Sequence, residues 1–160
     1  MSNLNPKTKI GHVHLTVADL ERSLKFYRDI LGFEVTTRYG ASAVFLSAGG
    51  YHHHIGLNTW AGIGVTPPPP GHSGLYHFAI LFPTRKDLAI AVKSLQDNHY
   101  PISGASDHGV SEAIYIEDPD SIGVELYWDR PEGQWPRNPA GELSMTSAPL
   151  DLNNLLAELN

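Results

Sequence analysis

Gly11-His12-Val13-His14-Leu15-Thr16-Val17 returns in modified form further along the chain as Tyr76-His77-Phe78-Ala79-Ile80. Residues 9–17 alternate and are rich in Val, Ile and Thr, which predicts a strand. Asp19 then stands as an N-cap, and Leu20, Leu24, Tyr27 and Leu31 recur at helical spacing. Gly32 fits the position just past the helix end. Strands are expected at 33–39, 43–46 and 51–58, punctuated by Gly40 and Gly49-Gly50. The pattern then restarts. Residues 75–82 read as a strand, and Thr84 with Asp87 opens a helix that carries Leu88, Val92 and Leu95. Strands follow at 101–105, 112–117 and 122–128, with Asp118-Pro119-Asp120-Ser121 as a turn. Each half therefore reads as strand, helix and three strands.

In this duplication His12 answers His77, and Ile55-Gly56-Leu57 answers Val124-Glu125-Leu126. Gly56 thus stands where its twin has Glu125. Between the halves lies AGIGVTPPPPGHSG, residues 61–74, whose four prolines favour a stiff extended loop. Residues 129–149 are rich in Pro, Gly and Asn, and 151–159 (DLNNLLAEL) form a short amphipathic helical pattern. The expected class is α+β, in one domain over 1–160, with units at about 9–60 and 75–128 and a tail, 129–160, wrapping the surface.

At 160 residues with 41% hydrophobic and 18% charged content, the chain is globular in composition. A net charge of -6 argues against binding a nucleic-acid backbone. Cysteine is absent, which removes disulfides, thiolate ligands and cysteine nucleophiles. No apolar run has the length of a signal-peptide core or a membrane span, so a cytoplasmic protein without membrane partners is expected. Nine histidines against eleven Lys+Arg are the unusual feature.

Three of those histidines are consecutive in Tyr51-His52-His53-His54-Ile55-Gly56-Leu57-Asn58. If the whole stretch is an extended strand, His52, His54 and Gly56 share one face, and His53, Ile55 and Leu57 the other. The set with the most specific chemistry is His12, His77 and Glu125. Two imidazoles and one carboxylate from three strands form the ligand set of a facial triad, which holds one side of an octahedral ion and leaves positions open. Glu125 lies between Val124 and Leu126, where a bare carboxylate is costly. A cation relieves that cost, and so does an arginine partner.

The run from His12 to Val17, with Asp19, Ser23, Phe26-Tyr27 and Leu31-Gly32-Phe33, resembles the opening signature of the vicinal oxygen chelate superfamily. That group includes glyoxalase, the bleomycin- and fosfomycin-resistance proteins and the extradiol dioxygenases. The resemblance covers about residues 9–128 and implies paired βαβββ units whose mixed sheet curls around a central metal. Glyoxalase-like members place a fourth ligand where this chain has Gly56. Extradiol dioxygenases use three, matched here by His12, His77 and Glu125, and keep a histidine where His54 stands. Asp107-His108-Gly109 and Ile114-Tyr115-Ile116-Glu117-Asp118-Pro119 resemble their His and Tyr pair.

The resemblance therefore implies a single-module, catechol 2,3-dioxygenase-like enzyme of aromatic catabolism. Fe(II) is the implied metal, with Mn(II) or another divalent ion as substitute. His54 is the implied acid/base residue, and His108 and Tyr115 are implied to bond the substrate oxygens. The implied partners are a small aromatic substrate and dioxygen; a homo-oligomer is left open. Two alternatives stand beside this: a metal-dependent isomerase or thiol transferase of the glyoxalase or fosfomycin-resistance kind, and a metal-free drug-binding protein.

Overall fold

The computed structural model describes residues 4–160. They form two compact units, divided between Thr66 and Pro67.

In the first unit, β1 (Val13–Thr16) leads into α1 (Leu20–Leu24), then β2 (Glu34–Tyr39), β3 (Ala43–Ser47) and β4 (Ile55–Asn58). Asp19 starts the helix as expected, its carboxylate accepting the Arg22 N–H at 2.8 Å. Beyond Leu24 the chain widens into a π-helical stretch, Lys25–Ile30, in which Leu31 N–H donates to the Phe26 carbonyl at 3.0 Å. Gly32 ends it with φ of +87°. Leu24, Phe26 and Tyr27, together with the sheet residues Leu46, Ile55 and Leu57, are buried in the unit's apolar core. The sheet order is β1-β4-β3-β2, with β1 and β4 parallel.

The second unit repeats that order. β5 (His77–Leu81) and α2 (Arg85–Asp97) precede β6 (Gly104–Asp107), β7 (Ser111–Glu117) and β8 (Gly123–Asp129). Thr84 caps α2 by accepting the Asp87 N–H at 3.1 Å. The Asp118 carboxylate closes the turn before β8 by accepting from the amides of Asp120 and Ile122. A short β9 (Ala148–Pro149) joins the edge, giving the order β5-β8-β7-β6-β9. The tail ends in α3 (Leu152–Leu156), whose Leu155 is fully buried. Neither sheet closes into a barrel.

Strand register supports the duplication. Val13 pairs with Ile55 and His14 with Gly56, while His77 pairs with Gly123 and Ala79 with Glu125. One step before Val13–Ile55, His12 lies level with His54, as His77 lies level with Gly123. Gly56 and Glu125 then occupy equivalent places, each two residues further along its strand.

Three expectations are corrected, one being the strand expected at 101–105, which forms instead as β6 at Gly104–Asp107. The first strand starts at Val13 rather than Lys9, leaving Ile10 exposed. β4 starts at Ile55 rather than Tyr51. Gly49 and Gly50 both turn with positive φ, 71° and 81°, and the chain is still bent at His52 and His54. Alternation of faces therefore begins only at Ile55. Among the described residues no helix is long and apolar enough to cross a membrane.

Candidate functional site

In the second unit four of the expected side chains meet. β5 and β8 run side by side, so His77 Nε2 lies 3.0 Å from Glu125 Oε2. β7 is the other neighbour of β8 and places Tyr115 directly across from Glu125. The Tyr115 hydroxyl is 3.4 Å from the other carboxylate oxygen, Oε1. The β6–β7 turn brings in His108, whose Nε2 is 2.7 Å from the same hydroxyl. Burial raises the Tyr115 pKa, and the adjacent Glu125 charge raises it further, so the hydroxyl stays protonated at neutral pH.

Glycine at 123 makes this approach workable. A Cβ there would lie 2.2 Å from the Tyr76 carbonyl oxygen and 3.0 Å from the His77 Cβ. A small cleft lined by Tyr76, His77, Ser103, Tyr115 and Gly123 opens beside the pair.

His77 and Glu125 suit a hard or borderline divalent ion. Their side chains are 31% and 14% exposed, so both remain reachable yet partly desolvated. Two donor atoms at right angles, each about 2.1 Å from one ion, would sit about 3 Å apart, which is the separation of Nε2 and Oε2. Tyr115 stands 3.4 Å from the far carboxylate oxygen, in the place where an outer hydrogen bond to a metal ligand is commonly made. Within either unit, among the described residues, no three His, Asp or Glu side chains gather as a complete cage.

In the first unit His12, just before β1, and His14, on it, are both exposed. The His12 ring packs on His53 at 4.4 Å between centroids, and His53 also meets Phe45 at 5.1 Å. His53 was expected on the opposite face with Ile55. The bend before β4 swings it round, and no side-chain signal in the histidine run announces this. His54 is turned toward β3. Its Nδ1 accepts the Ala48 N–H at 3.3 Å and lies 3.1 Å from Ser47 Oγ. An Nδ1 that accepts from a backbone amide leaves the ring proton on Nε2.

Residues 9–126 match the family model described as the Glyoxalase/Bleomycin resistance protein/Dioxygenase superfamily. The chain belongs to that superfamily. It is 41% identical over 158 residues to "Catechol-2,3-dioxygenase" of Bacillus subtilis (strain 168), an alignment covering 99% of this chain and 54% of that protein. It is 32% identical over 121 residues to "Biphenyl-2,3-diol 1,2-dioxygenase 3" of Rhodococcus globerulus, covering 76% of this chain and 63% of that one. The chain thus spans roughly half to two thirds of the length of these relatives. Among solved structures, a glyoxalase/dioxygenase from Nostoc punctiforme superposes with a TM-score of 0.66 at 22% identity, over 82% of this chain and 99% of that one. Its likeness establishes the superfamily fold.

Within the superfamily, the place of Gly56 is informative. A Cβ built there would meet the His14 ring at 2.9 Å. The imidazole of His14, itself against Phe45 and Trp60, fills the space that a side chain at 56 would need. A side chain at this position, such as a glyoxalase-type glutamate, would have to displace the His14 ring.

Proposed function

We propose that this chain catalyses extradiol cleavage of a catechol-type ring with dioxygen, using one divalent metal, Fe(II) or alternatively Mn(II), held by His12, His77 and Glu125. The observation that carries this is the connected set His77–Glu125–Tyr115–His108 in the second unit. An isomerase has no evident use for a tyrosine and a histidine linked to a ligand carboxylate. A substrate with two adjacent hydroxyls does. When bound, the metal supplies a Lewis-acid template on which a chelating diol and dioxygen are held together.

The chain's own groups do the rest. Tyr115 and His108 bond the substrate oxygens and orient the ring. Tyr115, held protonated by burial and by Glu125, is suited to donate to a substrate oxygen that has lost its proton. His54, with its proton on Nε2 by virtue of the Ala48 amide, is the acid/base residue. The protein is one vicinal oxygen chelate domain, and a small aromatic substrate and dioxygen are its partners.

Anaerobic reconstitution with Fe(II) or Mn(II), followed by catechol in air, is expected to give a yellow ring-opened product. No colour across a panel of catechols would overturn the proposal. Replacing His54 by Ala should slow turnover by about two orders of magnitude or more while metal content stays near one per chain. Loss of the metal in that variant would make His54 a ligand instead.

A further inference from the structure

The tail beyond β8 reaches His108, and it does so through main chain alone. The Thr146 carbonyl lies 2.9 Å from His108 Nδ1, and the Thr146 N–H donates to the His108 carbonyl at 3.0 Å. Two and three residues later Ala148 and Pro149 pair with Asp107 and Ser106, carrying the tail along β6 as its outer neighbour. Gly109, with φ of +74°, fits beneath it; a Cβ there would meet Pro136 Cγ at 2.9 Å and Thr146 Oγ1 at 3.1 Å. The far end is anchored by buried Leu155 and by Arg85, which donates to the Asn154 side chain at 2.8 Å and to Glu158 at 2.7 Å.

A carbonyl oxygen can only accept, so the hydrogen bond at Nδ1 requires a proton on that nitrogen. In the neutral ring Nε2 then carries a lone pair. That lone pair faces the Tyr115 hydroxyl at 2.7 Å, and the hydroxyl donates to it. We infer that the Thr146 carbonyl is a positioning group: by holding the proton of His108 on Nδ1, the tail makes Nε2 the acceptor for Tyr115 and so draws the single hydroxyl proton toward His108, 2.7 Å away, and away from Glu125 Oε1 at 3.4 Å. Unheld, the ring is free to place its proton on Nε2, reversing its role toward Tyr115. The consequence for catalysis rests on the function proposed above; the tautomer does not.

The decisive measurement is the tautomer of His108 in the metal-free full chain, read from the 15N chemical shifts and two-bond couplings of histidine-labelled protein. The expected result is Nδ1–H with unprotonated Nε2 in the wild type. Thr146→Ala should keep that pattern, because the main chain remains. Thr146→Pro, which removes the N–H that holds the strap to the His108 carbonyl, should move the ring toward Nε2–H. Finding Nε2–H in the wild type overturns the inference even if the proline variant fails to fold, and so does an unshifted tautomer in a folded Thr146→Pro protein.

With catechol as substrate, Thr146→Pro is expected to lower kcat roughly ten- to a hundred-fold with KM nearly unchanged; an unchanged kcat would overturn the positioning role. If the wild type turns over no catechol, the proposed function fails while the tautomer measurement still decides this one.

Discussion

At the scale of single residues, Gly56 and His14 are one feature. The glycine is required because the imidazole lies directly over it, closer than an ordinary Cβ contact allows. Gly56→Ala should therefore overpack the face and cost about 1–3 kcal/mol, measured by urea denaturation. Because the opposing atoms belong to a side chain, the cost should be relieved when His14 is also replaced by Ala. A double-mutant cycle is expected to give a coupling of about 1 kcal/mol or more, and an additive result would show that the ring does not sit there. Buried carboxylates teach a related lesson. Burial suggests that Glu125 needs a cation or an arginine, and Glu125 meets an imidazole and a tyrosine. The more deeply buried Glu112, with a side chain 3% exposed, takes the arginine solution twice over, from Arg85 at 2.8 Å and Arg130 at 2.7 Å.

At the scale of elements, that Glu112 knot joins α2, β7 and the residue after β8. Arg130 also grips Asp107 on β6 at 2.7 Å, and Arg85 grips the tail. Removing the carboxylate leaves two partly buried guanidinium groups without their central partner. Glu112→Ala should destabilise the protein by about 3–5 kcal/mol, read as a fall in the urea midpoint at constant slope. Glu112→Gln, which keeps one acceptor, should lose less; equal losses would mean that packing rather than the ion pairs matters. The helix starts were legible because a cap is a local event: Asp19 and Thr84 each bond an amide three residues away. The start of β4 was not. Whether Tyr51 to His54 extend or bend depends on the two preceding glycines turning with positive φ, and polar side chains in either state look alike in sequence. The tail's reach to His108 was equally hidden, since Thr146 acts through its carbonyl and any residue type supplies one.

At the scale of the whole molecule, the duplication was readable because both halves keep one strand order and one register. His77 and Glu125 come together by that register alone. What the repeat does not supply is symmetry of chemistry: the first unit has His54 and Gly56 where the second has Gly123 and Glu125. The proposed ligand set is correspondingly uneven, one histidine from the first unit against a histidine and a carboxylate from the second. It can be tested without turnover, because a ligand that binds only the folded state raises stability by mass action. At a free metal concentration of roughly 100 times Kd the gain is about 2.7 kcal/mol, a readily measured rise in Tm. Mn(II), which resists oxidation in air, is expected to raise the Tm of the wild type. It should fail to do so in His12→Ala, His77→Ala and Glu125→Gln, each of which leaves two donors. If His77→Ala and Glu125→Gln abolish the shift while His12→Ala retains it in full, the metal belongs to the second unit alone. His12, packed on His53, is then part of the pocket rather than a ligand.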